Sequence, residues 1–574
     1  MTTKGRAGVY ALAAAITLYG ALLRLDAYVG GYGPLDHPAW ARVLTHDVAV
    51  VARVVRPERV VWGRAATPYV GGDPISYLKF GREMTSFYQP HVREPMFLAA
   101  TRISLWALDG QDAAVSLASA AGSVLMILAT FLLGAVLVAP WAGLAAAFVV
   151  AIDYNLIIWS VDGWRDDLFS AFVLLSAWAL YRLFERPSFG RSLAAGIICG
   201  LVCLTRITSL SFVVPALIWV GFAGDGERRR ERLQFTALAA VLAAAVLAPY
   251  LISCAIATGD PFQAIDQHTS YYRHAEGLSI TQPMTTGEYL RQKFAAHPIG
   301  MIDVGLTGLF VFPFENKWNG LGVWFGALGT ILSWCALAGL AASVFSTKGR
   351  FLLLVIVASL LPYAFTWNVG GGGEWRFTMH AFPLYVVAAM YAISLIPQLA
   401  DRRLLPSLAR RSGAIAAVAA AATAIYATLP WFVVREAVGR GESVSVEAGS
   451  RDQVFFRSGW SPPQAGGNVT VRISREPRAV VHFPLPARGD YDVVLRVDPL
   501  EADTAPALIL FNQQFVARFN LERTAGRVGS YRVTLPRQWQ KPGDNAVAIV
   551  SSLPAGVRLW FVRIIPMGPP STAH

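Results

Sequence analysis

Charge is what this sequence has least of. Only 15% of its 574 residues are Asp, Glu, Lys or Arg, against about a quarter in soluble domains. With 55% of residues hydrophobic, that excludes both an ordinary soluble enzyme and a disordered chain. Cysteine is nearly as scarce. Cys199, Cys203, Cys254 and Cys335 all fall within apolar runs, which excludes a disulfide framework or a zinc site and leaves four small buried hydrophobes. No internal repeat is visible, so the paired halves common in transporters are missing. Acids are outnumbered, 37 to 49 basic residues, giving a net charge of +12. The basic residues gather in short loops between apolar runs, so no nucleic-acid partner is expected. Long apolar runs and aromatics are abundant instead: 17 Trp, 19 Tyr and 31 Phe, residues that suit membrane interfaces and sugar sites.

A helix needs about 20 apolar residues to cross the hydrocarbon of a bilayer. The sequence predicts about eleven such spans, near 8–26, 112–136, 139–158, 167–184, 191–205, 207–223, 234–256, 321–345, 351–367, 377–397 and 413–434. The stretch 300–313 is short and closed by Pro313, and reads as re-entrant or interface-lying. With a cytoplasmic N-terminus, one side holds Arg182, Arg186 and Arg191, then Arg228 to Arg230 and Arg232, Lys348 and Arg350, and Arg402, Arg403, Arg410 and Arg411. Every short basic loop then lies inside, as the positive-inside rule requires. The long loops 27–111 and 257–320 fall outside, in the arrangement of a bacterial inner membrane protein facing the periplasm.

From about residue 438 the period changes. AVVHFPLP, YDVVLRVDP, ALILFNQQFVARFNL, GSYRVTLP, NAVAIVSS and VRLWFVRIIP alternate partially, with turn formers between them. The chain therefore divides into a membrane domain, 1–435, and an extracytoplasmic all-β sandwich or jelly roll, 438–568, of a kind that often binds carbohydrate. Trp460, Trp539 and Trp560 are either sugar-stacking residues or core residues.

Polar residues gather on the outer side. In the first long loop, Gly72 frees the backbone beside Asp73, and Pro74 presets a helix that carries Tyr77, Phe80 and Met84 on one face. A second amphipathic segment follows Pro95. Two interface-lying helices of this kind hold Asp73, Arg93 and Glu94 near the headgroup plane. Asp73 is either an N-cap alone or a functional acid. In VDGWRDDLFSAF, Arg165, Asp166 and Asp167 stand at the mouth of a span, where ionisable groups must be solvated, paired or functional. Arg206 in LTRITS either marks a turn between two spans or holds an anion. The loop 257–300, with His268, Tyr271, Tyr272 and Arg273, is long enough for a lid or an acceptor guide, and Tyr77 joins that side.

An acidic residue before a Tyr-bearing helix, then "REP" opening a second helix, then an acid opening the fourth span in DLFSAF, resembles the C-type membrane glycosyltransferases, the GT-C superfamily. GLVCLTRITSLSFVVPAL and EWRFTMHAFPLYVVAA are similar to further stretches of it. The nearest branches are the protein O-mannosyltransferases and the lipid A aminoarabinose transferases, and the likeness runs over about 8–400. It implies a polyprenyl-phosphate sugar as donor, a glycan, lipid or protein as acceptor, and chemistry on the extracytoplasmic side. It also implies an acid in the first outer loop as base, which maps to Asp73, and a supporting acid at the fourth span, which maps to Asp167 or, as the alternative, Asp166.

The chemistry suits the residues. A carboxylate taking the acceptor's proton contributes roughly 10²–10⁴ in rate, and burial near a low-dielectric interface should raise its pKa. Asp73 is the candidate base, with Glu94, Asp166 and Asp167 as further catalytic acids. Arg93, Arg165, Arg206 and Arg376 are available to hold the donor phosphate, which guanidinium groups grip bidentately. No cofactor is expected and no metal is required, although Asp73, Asp166 and Asp167 are also an oxygen-rich set for a hard cation. A single displacement would invert the anomeric centre. A transporter or flippase of lipid-linked sugars is the rival reading. It would place its ionisable residues at mid-membrane rather than at one face.

Overall fold

The computed structural model describes residues 3–57, 60–62, 72–224, 228–278, 284–315, 317–369, 375–400, 405–449, 451–466, 469–501, 503–524, 527–551 and 556–568. Arg402 and Arg403 of the last basic loop lie outside them. The chain forms two compact units, residues 1–289 with 305–405, and residues 290–304 with 406–574. The second unit thus takes in a short stretch and a helix that precede the boundary drawn from sequence.

The first unit is almost wholly helical, as the apolar runs require. Among the described residues of the whole chain, six helices are long and apolar enough to cross a membrane: Gly5–Tyr32, Ala114–Leu137, Asp166–Glu185, Arg229–Thr258, Pro298–Phe325 and, in the second unit, Ala417–Gly439. Two bent pairs, Pro140–Ile152 with Tyr154–Val161 and Leu328–Ser343 with Thr347–Tyr363, raise the number to eight if each counts as one span. Phe189–Thr205, Ile207–Phe222 and Ala381–Pro397 are apolar but shorter. The protein is an integral membrane protein, and the apolar runs read as spans appear among the described residues as full-length helices, bent pairs and shorter apolar helices. Asp153 breaks the first pair with a 58° bend because its carboxylate caps the next helix, accepting from Leu156 N–H at 2.9 Å. The stretch 300–313 lies within the apolar helical segment Pro298–Phe325.

Two features of the first unit place the polar residues. Helices Ala114–Leu137 and Asp166–Glu185 pack closely at Gly122, where a Cβ would stand 2.7 Å from the backbone nitrogen of Leu168. In the outer loop, helices Asp73–Glu83 and Pro95–Ala107 each open on a proline at the first turn, where the missing N–H costs nothing. Gly72 precedes the first of them at φ +89°, a conformation that side chains disfavour. Glu94, lying before Pro95, is held extended at φ −64°, ψ 146°.

Among its described residues the second unit contains eleven strands: β1 (Val444–Glu447), β2 (Gln464–Gly466), β3 (Val469–Ile473), β4 (Arg478–Leu485), β5 (Tyr491–Pro499), β6 (Thr504–Phe511), β7 (Gln514–Thr524), β8 (Arg527–Val528), β9 (Ser530–Leu535), β10 (Gly543–Ser551) and β11 (Val557–Pro566). One sheet runs β2-β3-β11-β5-β9 with β1 also on β11, the other β4-β10-β6-β7-β8. The paired strands are antiparallel, and alternate residues such as Val493, Leu495, Val497, Ile509, Phe511, Val547 and Ile549 meet in one core. The expected all-β sandwich is present. In the same unit, Glu436 accepts the N–H groups of Ile299 and Gly300 at 3.3 and 3.0 Å, and Arg451 pairs with Asp303.

Candidate active site

Seven charged side chains from five stretches of the first unit converge at the ends of its helices. Asp73, in the first turn of its helix, accepts from Arg93 Nη2 at 3.3 Å on one oxygen and from Arg376 Nη1 at 3.0 Å on the other. The same Arg376 Nη1 lies 3.7 Å from Asp166 Oδ2. Asp166 Oδ1 accepts from Arg206, which also donates to the Tyr363 hydroxyl at 3.0 Å. Glu94 accepts from Arg165 and, at 3.0 Å, from the backbone N–H of Ile207.

Four guanidinium groups thus face three carboxylates, leaving one positive charge in excess. Among the described residues, Arg165 Nε, Arg206 Nε and Asp166 Oδ2 are buried without a hydrogen-bond partner. Aromatic faces complete the setting. The Arg376 guanidinium lies 3.7 Å from the Trp164 ring centroid, and Arg206 lies 5.2 Å from Phe169.

Asp73 differs from the other two acids in access. Its side chain is 24% exposed, against 1% for Asp166 and 6% for Glu94. Burial pushes its pKa up, but Arg376, Arg93 and Arg165 outweigh that, and the net shift is downward. The rise expected from burial alone is therefore reversed by the cations gathered around it. Glu94 is likewise lowered: burial opposes, while Arg165 and the Ile207 N–H favour the carboxylate.

The sequence candidates sort unevenly. His268 belongs to the cluster: its Nδ1 lies 2.9 Å from Arg93 Nη1. A guanidinium can only donate, so Nδ1 must accept and the ring proton sits on Nε2. Burial, then Arg165, Arg93 and Arg206, hold this histidine well below its usual pKa. Tyr77 is buried edge-on to Phe97, and its pKa is raised chiefly by burial. Tyr272 packs beside His268, with ring centroids 5.9 Å apart.

Asp167, the preferred second acid, is not in the cluster. One residue along a helix turns the side chain by about 100°, and its Oδ2 accepts from Ser119 Oγ at 3.0 Å, toward buried Arg24. Tyr271 points away and is 58% exposed. Arg273 is buried on the Tyr289 side of its helix, where the Tyr289 hydroxyl donates to Glu276. Sequence reasoning missed Tyr363, Trp164 and the Ile207 N–H. Trp164 stood beside Arg165 in a stretch already singled out, whereas nothing in the sequence marks a backbone donor.

Among the described residues no three His, Cys, Asp or Glu side chains group as metal ligands. The three sandwich tryptophans are structural in their contacts. Trp460 and Trp560 donate to Val480 O and Asp498 Oδ1 at 2.9 and 2.8 Å, and Trp539 packs on the core.

Residues 90–252 match the family model described as dolichyl-phosphate-mannose-protein mannosyltransferase. The likeness to C-type membrane glycosyltransferases is thereby found again over a segment holding Arg93, Glu94, Arg165, Asp166 and Arg206, while Asp73 and Arg376 lie beyond its ends. No curated protein matches the chain. Among solved structures it is similar to the oligosaccharyltransferase AglB from Archaeoglobus fulgidus, in complex with an inhibitory peptide and a dolichol-phosphate (14% identity, 75% of this chain and 56% of that one, TM-score 0.43). It is also similar to ArnT from Cupriavidus metallidurans bound to undecaprenyl phosphate (13%, 75% and 70%, 0.39). A family 35 carbohydrate binding module from an environmental isolate matches as well (14%, 21% and 98%, 0.16). The chain spans about half the length of the first solved structures it matches.

Proposed function

We propose that this protein transfers a sugar from a polyprenyl-phosphate donor to a hydroxyl of a glycan, lipid or protein acceptor, on the extracytoplasmic face of a bacterial inner membrane. The observation that carries this reading is the excess of guanidinium over carboxylate in one cluster at the helix ends. A sugar phosphate leaving group gathers negative charge at its oxygens, and preorganised cations stabilise it where water is scarce. Arg93, Arg165, Arg206 and Arg376 supply that charge. The family segment over 90–252 supports the same donor class, and the basic loops support the orientation. Helix ends, rather than mid-membrane depth, favour transfer over transport.

In the transfer step the acceptor oxygen forms a bond to the anomeric carbon as the bond from that carbon to the phosphate oxygen breaks. The bonding pair leaves with the phosphate, and the hydroxyl proton passes to Asp73. One displacement inverts the anomeric centre. Arg93 and Arg376 hold Asp73 ionised but weakly basic. A phosphate drawing those two cations toward itself raises the proton affinity of Asp73 when the donor is in place.

The sandwich is proposed to contact glycan, although not through its tryptophans. A groove of about 600 Å³ crosses the outer face of β4 and β10, with Arg478, His482, Asn512, Lys541 and Asp544 around small residues Ala546 and Ala548.

Radiolabelled polyprenyl-phosphate sugars offered to the purified full-length protein test the central reading. Transfer from at least one donor, lost on Asp73→Asn, is expected. Failure with every donor overturns it, and full turnover by Asp73→Asn removes Asp73 as the base.

A further inference from the structure

We propose that Lys317 is a positioning residue for the phosphate cluster, acting through the turn that carries Arg376. Lys317 is 0% exposed. A buried lysine is costly, since an ammonium loses its hydration on burial, and ionisable groups inside a membrane protein usually serve function. Its Nζ donates to the carbonyl oxygen of Trp375 at 2.7 Å and stands 4.4 Å from the centroid of the same residue's indole.

The contacts continue around a closed ring. Trp375 lies parallel to Trp159, with planes 4° apart and centroids at 6.4 Å. Trp159 packs on Trp164 at 6.0 Å, and Trp164 carries the Arg376 guanidinium on its face at 3.7 Å. Arg376 follows Trp375 in the chain, which closes the ring. Lys317, Arg376 and three indoles therefore fix a turn of only four residues, Trp375–Thr378. Lys317 supplies the anchor from a different part of the chain, and Arg376 then meets Asp73 and Asp166 together.

The functional half of this inference rests on the phosphate reading above; the structural half does not. The test compares full-length wild type with Lys317→Met, Lys317→Gln, Arg376→Gln and the double variant Lys317→Met/Arg376→Gln. Amide hydrogen exchange at 375–379 reads the turn, and binding of undecaprenyl phosphate in detergent reads the cluster. Exchange about tenfold faster in Lys317→Met is expected, because the turn opens locally. Binding should weaken about tenfold, with no further loss when the substitution is added to Arg376→Gln, as coupled residues require. Lys317→Gln keeps an N–H donor, so it should recover part of both effects, and it serves alone if Lys317→Met does not fold. Unchanged exchange at 375–379, or losses that add in the double variant, overturn the proposal. Wild type that does not bind the lipid phosphate counts against the phosphate reading, and the exchange result still decides for Lys317.

Discussion

Asp166 and Asp167 are adjacent in the chain, yet their carboxylates lie in separate networks. Asp166 is held by Arg206 and lies near Arg376, while Asp167 accepts from Ser119. Asparagine at the two positions should therefore do different things. Asp166→Asn leaves two guanidinium groups less well placed and is expected to lower kcat/KM by about 10²-fold or more. Asp167→Asn should mainly lower thermal stability, by about 1–3 kcal/mol as a buried polar contact is lost, with the donor KM little changed. Transfer kinetics together with melting curves separate the two outcomes.

The pH dependence of Asp73 has a definite sign. Its folded pKa is depressed, so its carboxylate persists at neutral pH and is lost only as pH falls below the usual carboxylate range. Arg376→Gln removes the largest favourable charge acting on it. The acidic limb of the kcat/KM profile is then expected to move to higher pH, while the plateau falls by about 10²–10³. A limb that stays in place would show that Asp73 is not the group being titrated.

Glu94 should be intolerant of even a conservative change. It is buried against Arg165 and caps Ile207. Glu94→Gln keeps the shape but leaves a buried guanidinium without its counter-charge, a loss of about 3–5 kcal/mol by comparison with other broken buried pairs. A large fall in melting temperature is expected, and Glu94→Asp should not restore it, since the shorter side chain cannot reach both partners.

On the sandwich, His482→Ala and Asp544→Ala are expected to weaken retention on soluble polysaccharides in affinity electrophoresis, because they dismantle the His482–Asp544 contact of 3.0 Å at the groove. Trp460→Phe should leave retention unchanged and cost about 1 kcal/mol through the lost hydrogen bond to Val480. The opposite pattern would return the binding role to the tryptophans.

How far the sequence could be read depended on rarity. Ionisable residues are so few in the membrane domain that Asp73, Glu94, Arg165 and Arg206 stood out without a structure, and their shared side followed from the basic loops. The sandwich was legible from its period. Side-chain direction was not. Choosing between Asp166 and Asp167 needs the rotation of a helix, which Gly122 sets by close packing against Leu168. Tyr271 and Tyr272 part company for the same reason. The spans were counted from runs of apolar residues, and apolar runs do not disclose that Asp153 bends a helix by 58°. Lys317 was not singled out from the sequence at all, and its partner is a backbone oxygen, which composition does not reveal.

The contact between Asp73 and Arg376 joins positions 303 residues apart. In synthesis from the N-terminus, the family-matched segment is therefore complete before Arg376 is added. Chains released early, by a nonsense codon or a stalled ribosome, hold Asp73 without Arg376. Fragments ending before Arg376 lack the residue that completes the cluster, so on this reading they would be inert and could not spend donor lipid during biogenesis.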